Sequence, residues 1–348
     1  MITSWTAIVL ACAASFARCS DVPQEKTATP PRAVLDPERI PRQPYRRYFT
    51  EDQLGRRVTF YLSEEPAGGD ALPLVAYVQG SGAQSLFVEA SGGRLEGRGG
   101  HNSLCDVARG RARLLVVEKP GVKYLDAPAD PGGATGASAE FREEHTLERW
   151  AVAVGAALEA ARSLPEIRGG RALIVGHSEG GIVAAKVAAD HEWITHVAVL
   201  AGGGPTQLFD LIALARRGDA FEHVSKEPET RVAHVLEQWR AIQKEPDSAE
   251  KLFFGHPYRR WSSFLRTSTL EQLLRTKARV YVAQGTEDRA VAWDSFETLR
   301  AECLARGREA VFDSVVGADH SFAIRKDGAT ADGWTPLLAR IVEWFVHE

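Results

Sequence analysis

The sequence predicts an α/β fold with a doubly wound, mostly parallel sheet of about eight strands and helices on both faces. Three observations predict it. Most of the short apolar runs are continuous rather than alternating, which is typical of parallel strands buried on both faces. Segments with an apolar residue every three or four positions separate these runs, as crossover helices would. The chain has 348 residues, of which 44% are hydrophobic, so one large core can form.

The predicted strands begin at residue 45. Tyr45–Phe49 and Val58–Ser63 are short strands joined by a turn at residues 52–55. The six strands that follow are Leu72–Val78, Arg113–Val117, Ala172–Val175, His196–Leu200, Ala278–Ala283 and Ala310–Val316. Because buried parallel strands need coverage on both faces, the segments between them should be helical.

Helices are predicted at residues 147–161, 182–189, 296–306 and 336–347. In the first of them, Leu147, Trp150, Val154 and Leu158 share one face. Residues 205–272 interrupt the alternation, because they contain no convincing strand but an amphipathic helix around 232–242 and a cluster of aromatic residues. We expect a helical lid insertion (cap) there, with a block that merely packs on the sheet as the alternative.

The first 19 residues resemble an export leader, and residues 20–44 resemble a polar tether rich in proline and threonine. The uncharged run from Trp5 to Ala17 suits a signal peptide or lipoprotein leader and is too short to span a bilayer, which needs about 20 residues. No Lys or Arg precedes the run, which departs from the usual pattern. Cys12 and Cys19 are the alternative sites for a lipid anchor. We expect an exported protein (periplasmic, extracellular or lipid-anchored), with a cytoplasmic protein as the alternative.

Composition and spacing exclude several classes of partner and cofactor. The formal net charge of −4 and the lack of long single-sign runs argue against nucleic acid as a partner. The four cysteines show no C-x-x-C spacing, and His191 and His196 are too far apart to share a helix face. We therefore expect no metal, no organic cofactor and no transmembrane span. If the chain is exported, Cys105 and Cys303 are the cysteines that remain to pair; the oligomeric state is left open.

One strand end carries a motif for nucleophilic chemistry. The predicted strand Ala172–Val175 runs into Gly176-His177-Ser178-Glu179-Gly180, which is followed by a helix rich in alanine and valine. A serine on such a tight turn projects its Oγ above the sheet, and bulky residues at the two glycine positions would clash. The strand before the motif and the helix after it make the pattern far more specific than its letters alone. Ser178 is therefore the candidate nucleophile.

A serine hydroxyl needs a base, and the base needs a carboxylate behind it. Asp288 comes after the predicted strand Ala278–Ala283, and His320 comes after the following strand, Ala310–Val316. We interpret His320 as the base and Asp288 as the acid. Glu287 is the rival for the acid, and Asp319 is interpreted as a turn residue because its neighbour is the base.

A tetrahedral intermediate also needs two N–H donors for its oxyanion. One should be the backbone N–H of Glu179, directly after Ser178. The other should come from the loop Gln79-Gly80-Ser81-Gly82, whose glycines allow close approach, and we choose the N–H of Ser81.

These residues together resemble the α/β-hydrolase superfamily over residues 45–348. The matching motifs are Gln79-Gly80-Ser81-Gly82, Gly176-His177-Ser178-Glu179-Gly180, Gly285-Thr286-Glu287-Asp288 and Asp319-His320. Two positions depart from the common pattern: Gln79 stands where many members carry histidine, and Glu118-Lys119-Pro120-Gly121 stands where an aspartate-rich or arginine-rich turn is frequent. The resemblance implies an α/β-hydrolase fold and hydrolysis through an acyl-enzyme.

The predicted function is a serine hydrolase that cleaves a carboxylic ester or a related acyl bond in a small-molecule substrate. An aminopeptidase, an amidase or a thioesterase on the same fold is the alternative. A binding protein without catalytic activity is the remote alternative, since fold alone does not determine activity.

Overall fold

A computed structural model of the chain describes residues 37–64, 70–326 and 328–347. The predicted leader and residues 20–36 of the predicted tether lie outside the described residues. Residues 37–44, which the sequence assigned to the tether, instead join the fold. In this segment Glu38 and Arg39 pair with the first long strand, and Ile40 is buried.

Strands and helices alternate along the described residues. The strands are β1 (Glu38–Arg39), β2 (Tyr45–Glu51), β3 (Arg57–Ser63), β4 (Leu72–Val78), β5 (Phe87–Ala90), β6 (Arg94–Gly97), β7 (Arg113–Val117), β8 (Ile167–His177), β9 (His196–Leu200), β10 (Leu252–Phe253), β11 (His256–Pro257), β12 (Arg279–Gly285), β13 (Val311–Val315), β14 (Ala323–Lys326) and β15 (Ala329–Asp332). The helices are α1 (His101–Ala108), α2 (Ala139–Glu144), α3 (Leu147–Arg162), α4 (Glu179–Asp190), α5 (Gln207–Arg217), α6 (Pro228–Lys244), α7 (Tyr258–Phe264), α8 (Thr269–Arg275), α9 (Trp293–Ala305) and α10 (Trp334–His347).

Within the part of the chain that the structure describes, nine strands form the central sheet in the order β1-β2-β3-β7-β4-β8-β9-β12-β13. Neighbours from β7 to β13 run parallel, whereas β1, β2, β3 and β7 pair antiparallel. All eight strands predicted from the sequence lie in this sheet, and the two-residue β1 at its edge is the ninth. The prediction of a mostly parallel α/β sheet is therefore confirmed.

The two faces of the sheet carry separate hydrophobic cores. Helices α3, α4, α8 and α9 pack on one face, and α1 and α10 pack on the other. The central strands supply side chains to both cores, so every residue of β7 and of β9 is buried. This double coverage explains why their sequences are apolar without alternation.

The two cysteines of the described residues lie on opposite faces of this sheet. Cys105 is buried in α1 and Cys303 is buried in α9, so the sheet separates them. They are not joined in a disulfide in this structure.

Residues 205–272 form a mainly helical block between β9 and β12. It contains α5, α6, α7, the short hairpin of β10 and β11 and the first residues of α8, and the predicted amphipathic helix lies within α6. Its aromatic and aliphatic side chains build a core of their own around Phe221, Val235 and Trp261. Most of the aromatic cluster seen in the sequence therefore serves packing within the block.

A buried ion pair ties this block to the first turn of α4. Arg260 of α7 donates to the carboxylate of Glu179, and the side chains are 2% and 1% exposed. His145 Nε2 also contacts Glu179 Oε1 at 2.8 Å. Burial alone would raise the pKa of the Glu179 carboxyl, but Arg260, His145 and Lys119 outweigh burial and hold that pKa well below its ordinary value. Glu179 is therefore a buried anion surrounded by positive and donor groups.

The turn between β8 and α4 has no room for side chains at its two glycines. A Cβ at Gly176 would overlap the carbonyl oxygen of Gly180, and a Cβ at Gly180 would overlap the carbonyl oxygen of Val78 in β4. Between them, Ser178 has φ 56° and ψ −127°, a conformation that side chains rarely adopt. The surrounding backbone contacts hold this strained turn in place.

We predict that Gly176→Ala destabilises the fold by more than about 2 kcal/mol, because the added methyl group meets backbone that cannot move independently. Denaturant unfolding measures the loss. Gly169→Ala is the matched control, since Gly169 lies in the same strand with nothing within 4 Å of its added Cβ. That variant should stay within about 0.5 kcal/mol of the wild type. Equal stability of the two variants would contradict the packing described for the turn.

We predict that Glu179→Gln lowers the free energy of unfolding by about 3–5 kcal/mol at pH 7, because it leaves buried cations without their anion. The difference in the free energy of unfolding between wild type and variant should shrink as the pH falls below about 4.5, the ordinary pKa of a glutamate carboxyl. The pKa of Glu179 is lowered in the folded state, so its carboxylate stabilises the fold above that pH and loses this effect as it takes up a proton.

The control for this variant is Glu192→Gln. Glu192 pairs with Lys277 at 2.8 Å, but both side chains are about three-quarters exposed, at 76% and 74%. Its loss should be below about 1 kcal/mol. Equal losses of unfolding free energy in the two glutamine variants would show that burial does not make the Glu179 ion pair more stabilising than an exposed one.

Candidate active site

The side chains of Ser178, His320 and Asp288 meet at the carboxyl ends of the parallel strands. Ser178 lies between β8 and α4, Asp288 follows β12, and His320 follows β13. The Oγ of Ser178 is 3.0 Å from Nε2 of His320, and Nδ1 of His320 is 2.9 Å from Oδ2 of Asp288. The structure thus brings together the three side chains that the strand order singled out, and their catalytic roles stay predictions.

The direction of these hydrogen bonds follows from the chemistry of their acceptors. A carboxylate oxygen only accepts, so Nδ1 of His320 must donate to Asp288. In the neutral ring Nε2 is then the acceptor, and the hydroxyl of Ser178 donates to it. This tautomer is the one that allows Nε2 to take the serine proton.

Asp288 is buried and held on both carboxylate oxygens. Its Oδ1 accepts from the N–H groups of Ala290 and Val291 at 2.8 and 3.0 Å, and its Oδ2 accepts from Gln284 Nε2 at 2.8 Å in addition to His320. Only 5% of Asp288 is exposed. Glu287, the rival in the sequence, is exposed to solvent. The fixed carboxylate that orients the histidine is therefore that of Asp288.

Two side chains hold the loop that carries His320. Oδ1 of Asp319 accepts from the N–H groups of Ser321 and Ala323, which makes Asp319 a turn residue. His177 Nε2 lies 2.8 Å from the carbonyl oxygen of His320 and must donate to it. Burial, followed by the nearby His320, lowers the pKa of His177 to about 4, so this ring is neutral at pH 7.

The side chain of His177 lies beside His320 and faces the cleft. Its ring centre is only 5.0 Å from that of His320, and it lines the same cleft. The first variable position of G-x-S-x-G, which His177 occupies, carries no signal for this contact, because the partner lies more than 140 residues away.

The two predicted oxyanion donors flank the nucleophile. A Cβ built on Gly80 would lie 3.2 Å from Cβ and 3.6 Å from Oγ of Ser178, so the loop after β4 passes beside the serine. Ser81 is exposed on the cleft. Glu179 is the first residue of α4, where helix N–H groups lack partners within the helix and the helix dipole favours negative charge. The positions of Ser81 and Glu179 suit the predicted role of their N–H groups.

Glu118, in the turn that departs from the common pattern, supports the neighbouring loop. Its carboxylate accepts from Tyr61 at 2.8 Å and from Ser85 at 2.6 Å, and the N–H of Leu86 lies 3.3 Å from it. Burial raises the pKa of Glu118 to about 7, although the hydrogen bonds from Ser85 and Tyr61 act in the opposite direction. Gln79 is also buried, at 6% exposure, and within the described residues its side-chain amide has no hydrogen-bond partner.

A cleft of about 480 Å³ opens over Ser178 and His320. Its walls include Tyr77, Gln79, Leu86, Arg98, Pro131 and Trp334. The block at 205–272 contributes none of the described lining residues, so the predicted lid does not form a wall of this cleft in the structure. Trp334, at the start of α10, was not anticipated from the sequence, because α10 looked like a core helix there.

Two further features are absent from the residues that the structure describes. No group of three or more His, Cys, Asp or Glu side chains could hold a metal ion. Over the same ranges, no helix has the length and apolar character needed to cross a bilayer.

The chain resembles known proteins both in sequence and in fold. A model of the alpha/beta hydrolase family matches residues 108–332, more than half of the chain. No curated protein sequence matches at a significant level.

Solved structures share the fold at low sequence identity. Est1E from Butyrivibrio proteoclasticus is 15% identical with a TM-score of 0.51, over 86% of this chain and 96% of its own. Acetyl xylan esterase 1 from Thermoanaerobacterium sp. is 13% identical with a TM-score of 0.54, over 90% of this chain and 88% of its own. An acylaminoacyl peptidase from Pyrococcus horikoshii is 14% identical with a TM-score of 0.55, over 86% of this chain but 41% of its own. The chain belongs to the alpha/beta hydrolase family.

Proposed function

We propose that the protein is a serine hydrolase that cleaves a carboxylic ester of a small or medium-sized substrate through an acyl-enzyme. The observation that carries this proposal is the continuous hydrogen-bonded series from Ser178 through His320 to Asp288, with links of 3.0 and 2.9 Å. Such a series lies within the range at which a base can activate a serine.

In the proposed mechanism, Oγ of Ser178 attacks the acyl carbon while Nε2 of His320 takes the hydroxyl proton. The N–H groups of Ser81 and Glu179 stabilise the negative oxygen of the tetrahedral intermediate. His320 then gives its proton to the departing alcohol, which leaves the acyl group on Ser178. Water, deprotonated by His320, releases the acid and restores the serine.

The esterases among the similar folds support an ester as the substrate. The chain spans most of Est1E and of the acetyl xylan esterase, at 96% and 88% of their lengths, but only 41% of the acylaminoacyl peptidase. The peptidase therefore has much additional chain that this protein does not match. A structure of Est1E with bound ferulic acid is also among the similar folds.

The size and lining of the cleft support the same substrate class. Its volume of about 480 Å³ lies within the range of about 300–1,000 Å³ that is common for small-molecule sites. Gln79, Gln84 and Arg98 stand beside Tyr77 and Trp334 in its walls, so polar and aromatic groups share the surface. This lining suits an ester with a polar or aromatic part better than a long aliphatic chain.

We predict that a fluorophosphonate probe labels the wild-type protein and that Ser178→Ala abolishes the labelling, because the probe needs an activated serine. Gel fluorescence and mass spectrometry of the intact protein measure the labelling. Ser91→Ala is the control, since Ser91 is exposed in the β5–β6 turn, and it should be labelled like the wild type. Equal labelling of Ser178→Ala and Ser91→Ala would refute the proposed nucleophile.

We predict that Asp288→Asn lowers kcat by about 10³- to 10⁴-fold, because an amide facing Nδ1 favours the wrong histidine tautomer. Steady-state kinetics with an activated aryl ester measure the loss. Glu287→Gln is the matched control and should keep kcat within about twofold of wild type. A large loss of kcat in Glu287→Gln with a small loss in Asp288→Asn would show that Glu287, and not Asp288, orients His320.

A panel of aryl esters, aryl thioesters and aminoacyl aryl amides separates the ester proposal from its alternatives. We expect kcat/KM for the best ester to exceed that for the best amide by at least about tenfold, which corresponds to about 1.4 kcal/mol of transition-state stabilisation. A higher value for aminoacyl amides would make the protein an aminopeptidase or amidase. Turnover only of thioesters would make it a thioesterase.

A further inference from the structure

A buried lysine at the inner end of the cleft binds the loop that passes the nucleophile. Lys119 follows β7 and is 3% exposed. Its Nζ donates to the carbonyl oxygens of Gly80 and Gly82, each at 2.6 Å. We propose that Lys119 is a positioning residue for the oxyanion hole, which fixes the Gly80–Ser81 peptide so that the N–H of Ser81 faces the cleft. This role rests on the proposed function of the same site.

The geometry of the peptide unit links the lysine to the N–H group. In a trans peptide, C=O and N–H point in opposite directions. The carbonyl of Gly80 points to the buried Lys119, so the N–H of Ser81 in the same peptide points away from it. Ser81 is exposed on the cleft, and Gly80 lies beside Ser178. The hydrogen bond from Lys119 to the carbonyl oxygen of Gly80 therefore sets the direction of the Ser81 N–H.

The second hydrogen bond makes the lysine a clamp on the whole loop. By binding Gly82 as well as Gly80, the ammonium spans both ends of the Gly80-Ser81-Gly82 segment. Two glycines in three residues leave this segment with little rigidity of its own. Gly82 also has φ 103°, which suits glycine but few other residues. An external clamp supplies the fixed geometry that an oxyanion site needs.

The partners of Lys119 indicate why a charged residue stands there. Both hydrogen bonds go to neutral carbonyls, and the Nζ also lies 4.9 Å from the ring centre of Trp150. A carbonyl bound to a cation polarises its own peptide unit, which strengthens the N–H of that unit as a donor. The lysine thereby strengthens the donor that it orients, at the point where negative charge develops.

Charged and titratable groups surround this ammonium on several elements. They are Glu118 beside it, His145 after α2, Glu179 of α4, His256 of β11 and Arg260 of α7. Burial lowers the pKa of Lys119 to about 8, Arg260 acts in the same direction, and Glu179 and Glu118 act against them. The ammonium is therefore charged at pH 7 and loses its proton within an accessible range of pH.

Lys119→Met tests the proposal, because methionine keeps most of the length but removes the donors and the charge. We expect kcat for an activated aryl ester to fall by at least about tenfold, with KM within about threefold of wild type, since the lost interaction acts in the transition state. Lys123→Met is the matched control on the same loop, where Lys123 is 74% exposed, and it should stay within about twofold. A loss in kcat below tenfold in folded Lys119→Met would overturn the proposal.

A transition-state analogue separates positioning from general damage. Phenylboronic acid forms a tetrahedral adduct with an active serine, so its Ki should rise in Lys119→Met by a factor similar to the loss in kcat/KM. In a Ser178→Ala background, which does not cleave the ester, adding Lys119→Met should leave the Kd for that ester unchanged. An unchanged Ki for the boronic acid would contradict the role of Lys119.

The wild-type protein provides a test that does not depend on folding of the variant. We expect kcat to fall at least about threefold above pH 8 as the ammonium is lost, and a flat kcat between pH 7 and pH 10 would overturn the proposal. Failure of the Lys119 proposal can be distinguished from failure of the proposed function. Loss of fluorophosphonate labelling in Ser178→Ala alongside an unaffected Lys119→Met would leave the serine hydrolase intact and remove only the role of Lys119.

Discussion

The first turn of α4 approaches the end of β4 so closely that position 180 has room only for a hydrogen atom. That approach brings the turn carrying Ser178 against the loop that begins at Gln79. It also forces Ser178 into a backbone conformation that other parts of the fold must hold. The carboxylate and the histidine follow β12 and β13, two further parallel strands of the same sheet, so the carboxyl ends of these strands position the whole site.

Beneath this edge lies a group of buried charges that a folded chain accommodates only with close partners. Glu179 contributes its N–H to the side of the nucleophile and its carboxylate to Arg260 and His145. Lys119 reaches the opposite loop through two carbonyl oxygens. The carboxylate of Glu179 and the ammonium of Lys119 thus anchor the two segments that carry the proposed oxyanion donors. Arg260 connects the helical block to this group without entering the cleft, which gives the block a structural tie to the site.

Local patterns were sufficient to predict the sheet and the order of the reactive residues. Continuous apolar runs indicate strands that are buried on both faces of the sheet. The residues that follow parallel strands are the ones that meet at the carboxyl edge of that sheet. Contacts between distant positions leave no such pattern. Nothing near Lys119 indicates that it binds the loop at Gly80, and nothing near Arg260 indicates that its partner is Glu179. The edge strand β1 escaped prediction for a related reason, since two residues are too few to show a period.

The proposed mechanism requires that Ser178 carries the acyl group during turnover. Acid quenching during the first turnovers of a slowly hydrolysed aryl ester, followed by tryptic peptide mapping, tests it most directly. The peptide Ala172–Lys186 contains a single serine, Ser178. We expect the mass of one acyl group on this peptide, at close to one per active chain. Turnover with no acyl group on this peptide, or with the group on another peptide, would contradict it.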